Sequence, residues 1–175
     1  MVSLRRLSIL PVICAGVVFA QATAPQTPAT QSQSGPSQIS ITGDIPAPVT
    51  IKAEDLASMP REKVKVPEQD GSEVEYEGVP LREILKRAGA PMGKLRGKAL
   101  TTYVLAKAHD GYEVVFTLGE VDAEFGNQQI IVADKRDGKP LFGYQGPLRL
   151  ECAHDKAGAR SVRMLESLEI VKLQK

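Results

Sequence analysis

The sequence is poor in the side chains that build most catalytic centres: its 175 residues include no tryptophan, two histidines and two cysteines, and aromatics make up 5%. Each scarcity excludes something. His109 and His154 are the sole imidazoles, and neither stands at zinc-ligand spacing from the other or from Cys152, so a histidine-rich metal centre lacks donors. Cys152 and His154 are two positions apart and share a strand face, which offers a two-ligand corner and no third ligand. Cys14 lies in a stretch read below as an export signal, so Cys152 remains alone and an intrachain disulfide is excluded. A free cysteine behaves as a small hydrophobe, and Cys152 is read as a buried strand residue rather than a ligand or nucleophile.

Familiar motifs are missing as well. There is no G-x-S-x-G elbow, no G-x-x-x-x-G-K-[ST] phosphate loop and no G-x-G-x-x-G. Glu120, Asp122 and Glu124 crowd one short segment and are read as a solvated face rather than a paired-carboxylate site. The apolar run "LSILPVICAGVVFA" is too short for a bilayer span. Arg5 and Arg6 precede it and Ala20, Gln21 and Ala22 form an A-x-A cleavage site, so residues 1–22 are read as an export signal, predicting a periplasmic or secreted protein. Cys14 lacks the small preceding residues of an acylated lipoprotein cysteine. The arginine pair is flanked by Leu4 and by the apolar run itself, which fits ordinary unfolded export better than a twin-arginine address.

Charge is equally uninformative about macromolecular partners. Removing residues 1–22 leaves 20 basic against 21 acidic side chains, a formal charge of −1, and nothing in that balance favours nucleic acid or an anionic membrane. Residues 23–37, "TAPQTPATQSQSGPS", have almost no large apolar side chain and read as a flexible lead-in. Residues 38–175 are one domain's worth of chain.

That domain reads as strands with a few short helices. "ISITG" and "PVTIK" alternate around the turn "DIPAP"; "AEDLASM" is a short helix stopped by Pro60; "EKVKVPE" and "SEVEYEGV" flank a hairpin turn at Asp70 and Gly71. "PLREILKRAGA" is the clearest helix, with Pro80 at its first position, Leu81, Ile84, Leu85 and Ala88 on one face and Gly89 closing it. "ALTTYVLAKA" and "YEVVFTL" form a second hairpin at "HDG", and "GEVDAEF" follows Thr117 as a capped acidic helix or turn. "QQIIVADKRDGKPLFG" is a buried strand turning at Asp137 and Gly138, and "PLRLECAH" and "LESLEIVKL" are the last strands. The pattern predicts an α+β or mostly β domain.

Two segments, "FGYQGPLRLE" and "GARSVRML", carry arginines toward a shared region. Arg149 follows Pro147 and Leu148 in extended chain, and Arg160 and Arg163 straddle Ser161 and Val162. A guanidinium is a planar fork suited to gripping an oxyanion at two points. The alternative is an internal ion pair of Arg149 with Glu151 or Asp134, the other arginines being surface charges; spacing does not choose between them.

Taken in order, "YEGVPLREILKRAGA", "KAHDGYEVVFTLGEV", "IIVADKRDGKPL", "GYQGPLRLE" and "GARSVRMLESLEIVKL" resemble the molybdopterin-binding domain of the sulfite oxidase-type oxidoreductases, over residues 50–173. The resemblance implies a mixed, strand-rich α+β domain that binds molybdenum through a pterin dithiolene and one protein cysteine. It nominates Arg149, Ser161, Val162 and Arg163 to hold the pterin and its phosphate, with Arg163 standing where lysine is usual. Two positions depart from the family. Its cysteine ligand lies in the strand region before the "GVPL" helix, and "EKVKVPEQDGSEVEYEGVPL" contains none; where a histidine often precedes the arginine by five residues, this chain has Tyr144. A redox-cycling metal needs a fixed coordination sphere. The expectation is therefore an exported, non-catalytic or accessory protein that binds a small anion or a partner, with molybdopterin its implied cofactor and molybdenum not expected. The alternative is an active molybdopterin-dependent oxidoreductase subunit of a periplasmic redox system, with a redox partner protein. The length, short of a sulfite oxidase dimerisation domain, favours the former.

Overall fold

The computed structural model describes residues 35–68, 70–93 and 95–173. The expected export signal and most of the lead-in lie outside the described residues. Within the described part, Gly35 donates its N–H to Gly146 O and Ser37 O accepts from Ala53 N–H.

Strands β1 (Gln38–Gly43) and β2 (Val49–Lys52) pair antiparallel, followed by helix α1 (Ala53–Ala57). Then come the hairpin β3 (Glu62–Pro67) and β4 (Glu73–Pro80), helix α2 (Leu81–Arg87), the hairpin β5 (Thr102–Ala108) and β6 (Glu113–Thr117), and helix α3 (Leu118–Val121). Strands β7 (Ile130–Arg136), β8 (Lys139–Pro140), β9 (Arg149–Cys152) and β10 (Leu165–Lys172) complete the chain. They make two sheets. One runs β2-β1-β10-β5-β6, antiparallel except where β10 lies parallel to β1. The other runs β3-β4-β7, and the far edge of β7 is shared by β8 and β9.

Side-chain alternation explains the two layers. In β5, Thr102, Val104, Ala106 and Ala108 point inward while Tyr103, Leu105 and Lys107 are half-buried on the other face, the period-two pattern of a strand covered on one side. "IIVA" at the start of β7 has no polar alternation because both its faces are covered. Ile130 and Val132 enter the main core between the sheets, whereas Ile131 and Ala133 join Val64, Val74, Tyr76 and Leu141 in a smaller cluster. Helix α2 buries Leu81, Ile84 and Leu85 in the main core, and Gly89, at φ +82, ends it as expected.

Two expectations require adjustment. Pro80 caps α2 from outside rather than occupying its first turn, because Pro80 is still paired with Ile131 in the β4–β7 ladder and keeps an extended ψ of 133°. The acidic segment is a solvated face only in part, with Glu124 exposed. Asp122 is buried and accepts from the backbone N–H groups of Gly93 and Glu124, and Glu120 closes a capping box with Thr117 and pairs with Arg160. The buried Asp122 carboxylate thereby ties the chain after α2 to the segment after α3 through two backbone donors.

The β4–β7 ladder shifts register at Glu77 and Gly78, and a Cβ on Gly78 would overlap the Val132 carbonyl. Gly78→Ala is expected to lower stability by more than about 2 kcal/mol, as backbone displacement in a packed sheet does, and denaturant unfolding measures it. An unchanged midpoint would contradict this close approach.

Candidate functional site: an arginine–glutamate pair beneath a small pocket

Strand β9 presents four residues, and alternation sends them two ways. Leu150 and Cys152 face the main core. Arg149 and Glu151, cross-strand from Ala133 and Ile131, face the smaller cluster. The Arg149 guanidinium lies 5.0 Å from the centroid of the Tyr76 ring. Its Nε contacts Glu151 Oε1 and its Nη1 donates to Gln145. Glu151 has no solvent exposure, and its second oxygen accepts from the Ser161 hydroxyl. The charges of Arg149 and Glu151 are thus in contact, yet Arg149 Nε and Glu151 Oε1 lack any aligned hydrogen bond. Burial pushes the Glu151 carboxyl above the ordinary glutamate range, with Arg149 and then Ser161 pulling the other way.

The loop after β9 is fastened on both sides. A single turn spans Gly158–Arg160, and Val162 and Leu150 exchange two backbone hydrogen bonds of 2.9 Å. Leu165 N–H reaches Leu148 O, and Met164 O accepts from His109 N–H in the β5–β6 turn. The Tyr112 hydroxyl, from the same turn, donates to Ala159 O. Between loop, strand and turn lies a pocket of about 220 Å³ lined by Arg149, Ser161, Arg163, Asp110, Tyr112 and Ala159, among others.

Three of the four residues nominated from the sequence, Arg149, Ser161 and Arg163, therefore meet at one pocket. The side chain of Val162 is buried in the main core; its backbone fixes the loop. Arg149 lines this pocket and also makes the internal ion pair with Glu151, while Asp134 is taken by Arg61. Arg160 is elsewhere. It pairs with Asp155 at 2.7 Å and Glu120 at 3.2 Å and lies over Phe116, and Asp155 holds its guanidinium above the usual arginine value.

Cys152 is buried, as expected, with its thiol 3.8 Å from Arg160 O and pushed up to about 12, chiefly by burial and next by Asp155. His109 pairs with Glu166 at 2.9 Å. Among the described residues no group of three or more histidine, cysteine, aspartate or glutamate side chains could hold a metal ion. Tyr144 is exposed, under the Arg163 guanidinium at 5.2 Å, and lines a second groove of about 520 Å³ with Phe142, Leu141 and Arg136.

The model of the oxidoreductase molybdopterin binding domain matches residues 26–175. The chain belongs to this family. No curated protein matches it. Among solved structures it resembles the sulfane dehydrogenase SoxCD from Paracoccus pantotrophus, with a TM-score of 0.60 and 19% identity over 79% of this chain. It spans 39% of that chain. The fold is thus the sulfite oxidase-type fold, strand-rich with few short helices.

In this molybdopterin-binding domain the β3–β4 hairpin, the region before the "GVPL" helix, places Val64, Val74 and Tyr76 in the cluster on the Arg149 side of the sheet. No thiol stands there, and Cys152 points away across β9. Sequence reasoning missed Tyr76, Gln145, Asp110 and Tyr112. Only Tyr76 left a trace, as a large apolar residue in register with Val74; the others depend on how loops meet.

Buried and held protonated, Cys152 is expected to resist iodoacetamide in the native chain at about pH 8 and to react fully in denaturant. Rapid native alkylation, followed by mass spectrometry, would contradict its placement.

Proposed function

We propose that this member of the molybdopterin-binding family is a non-catalytic or accessory protein that holds a small oxyanion at Arg149, Ser161 and Arg163, and that it is exported. The observation that carries this reading is the direction of Cys152. The thiol lies on the face of β9 opposite Arg149, inside the main core, with its proton retained by burial. A molybdenum centre of the family's kind needs a thiolate at the pterin, and the donor set around Arg149 is a guanidinium, a hydroxyl and a carboxylate already engaged by both. These residues do not fit a thiolate-held molybdenum, and no redox step is assigned to them.

The same residues suit an anion. Arg149 and Arg163 bring two positive charges to the pocket, and the Ser161 hydroxyl is within it. Its volume of about 220 Å³ is smaller than the usual range for drug-sized ligands, about 300–1,000 Å³. That size suits a single sulfate- or phosphate-like group. Export is supported by the sequence of residues 1–22; among the described residues no helix is long and apolar enough to cross a membrane. The second reading, an active oxidoreductase subunit with a redox partner, draws on family membership itself.

Metal analysis of the native protein separates the two: the expected result is far less than one molybdenum per chain, and stoichiometric molybdenum would establish the second reading. Sulfate titration by calorimetry tests the pocket. Arg149→Ala is expected to weaken binding by about tenfold or more, the scale of a hydrogen bond to a charged group. Lys65→Ala, at an exposed ion pair with Glu73, is expected to leave it unchanged. Arg136 is not a neutral control, because its guanidinium stands 6.0 Å from the same Tyr76 ring.

A further inference from the structure

The pocket reading leaves a difficulty: without ligand, its principal cation is already neutralised. Arg149 Nε is in ion-pair contact with Glu151 and its Nη1 donates to Gln145, and Ser161 turns its hydroxyl down to Glu151 rather than into the pocket. An anion arriving above this arrangement would meet a buried carboxylate directly beneath its two best donors. We infer that Glu151 is a proton acceptor coupled to the site, so that the pocket takes up a small dianionic oxyanion together with one proton. This rests on the anion-binding reading above and specifies how that site is filled.

The step is simple. Glu151 accepts a proton from solvent and becomes a neutral carboxylic acid, the Arg149 charge becomes available, and Ser161 is released to donate upward. No electron moves and no bond other than O–H forms. The geometry favours this division of labour. Glu151 is wholly buried while Arg149 reaches the pocket, so the carboxylate is the partner for which ionisation is costly. The contact of Arg149 Nε with Glu151 Oε1 lacks hydrogen-bond alignment, so protonation there gives up chiefly charge attraction. Burial already holds the Glu151 carboxyl above its ordinary range.

The charged and titratable neighbours do not replace Glu151 in this role. Tyr76 from β4 lies under Arg149, with Arg136 from β7 on the same ring and Glu68 paired to Arg136. Arg163 and Asp110 face the pocket from the loop and from the β5–β6 turn, and Asp110 accepts the Tyr112 N–H. His109, in that turn, is paired outward with Glu166.

Calorimetry of the purified full chain with sulfate, from about pH 4.5 to about pH 8.5, tests the inference, because sulfate keeps both charges across that range. Repeating each titration in buffers of different ionisation enthalpy counts protons. The expected result is uptake of one proton per sulfate where Glu151 is ionised, and affinity falling about tenfold per pH unit there, as one-proton linkage requires. Glu151→Gln is expected to bind sulfate without proton uptake and with a flat pH profile, and His109→Gln to behave as wild type. Binding without proton uptake in the wild-type chain, or uptake that survives in Glu151→Gln, overturns this inference and leaves the pocket standing. Absence of sulfate binding at every pH, or binding indifferent to Arg149→Ala, overturns the pocket reading itself. The proton count needs no variant, so misfolding of Glu151→Gln would not leave the question open.

Discussion

The ion pair of Arg149 and Glu151 is the constraint around which this side of the molecule is organised. Taking either charge out of water alone costs several kcal/mol, and mutual attraction offsets this only with close geometry and further hydrogen bonds. The surroundings supply them unevenly. Tyr76 offers a ring face to the guanidinium, Gln145 takes one of its N–H groups, and Ser161 donates to the carboxylate. Each of these partners is on a different segment, so the pair also ties β4, the turn before β9 and the loop after it to one point. Glu151 is left with one oxygen in contact but unaligned, and that incompleteness gives the site chemical latitude.

The second constraint is the alternation of β9. Its sequence Arg-Leu-Glu-Cys sorts charge to one face and apolar groups to the other, and a slip of one residue would exchange them. Register is held from both edges, by four paired positions on β7 and by the Leu150–Val162 bridge. This locking keeps a thiol that is only one residue away from Glu151 sealed in the core. Cys152 faces the main core, and the β3–β4 hairpin on the Arg149 side of the sheet contributes valines and a tyrosine.

Much of the fold was legible because period-two alternation and turn chemistry are local. Both hairpins and the position of α2 followed from such patterns, the burial of Cys152 from the small-hydrophobe character of a free thiol, and five ordered segments were enough to suggest the family. What failed to show was non-local. Pro80 read as a helix residue because its pairing with Ile131 is invisible in sequence. Asp122 read as solvated because nothing in "GEVDAEF" tells that Gly93 N–H will arrive there. At the site, the arginines were legible and their meeting with Ser161 was indicated by resemblance. The stacking of Arg149 on Tyr76 and the closing of the pocket by Asp110 and Tyr112 arise from two hairpins and a loop converging across both sheets. Residue spacing along one chain does not encode that convergence.

The account turns on whether Glu151 behaves as a buried, proton-accepting partner of Arg149. Carboxyl-carbon NMR of the glutamates through an acid titration, with Glu151 assigned by its absence in Glu151→Gln, observes this group directly, first without and then with sulfate. The account predicts a midpoint above the ordinary glutamate range, about 4.3, that moves higher still when sulfate is added. An ordinary midpoint, or one unmoved by sulfate that is demonstrably bound, would contradict it.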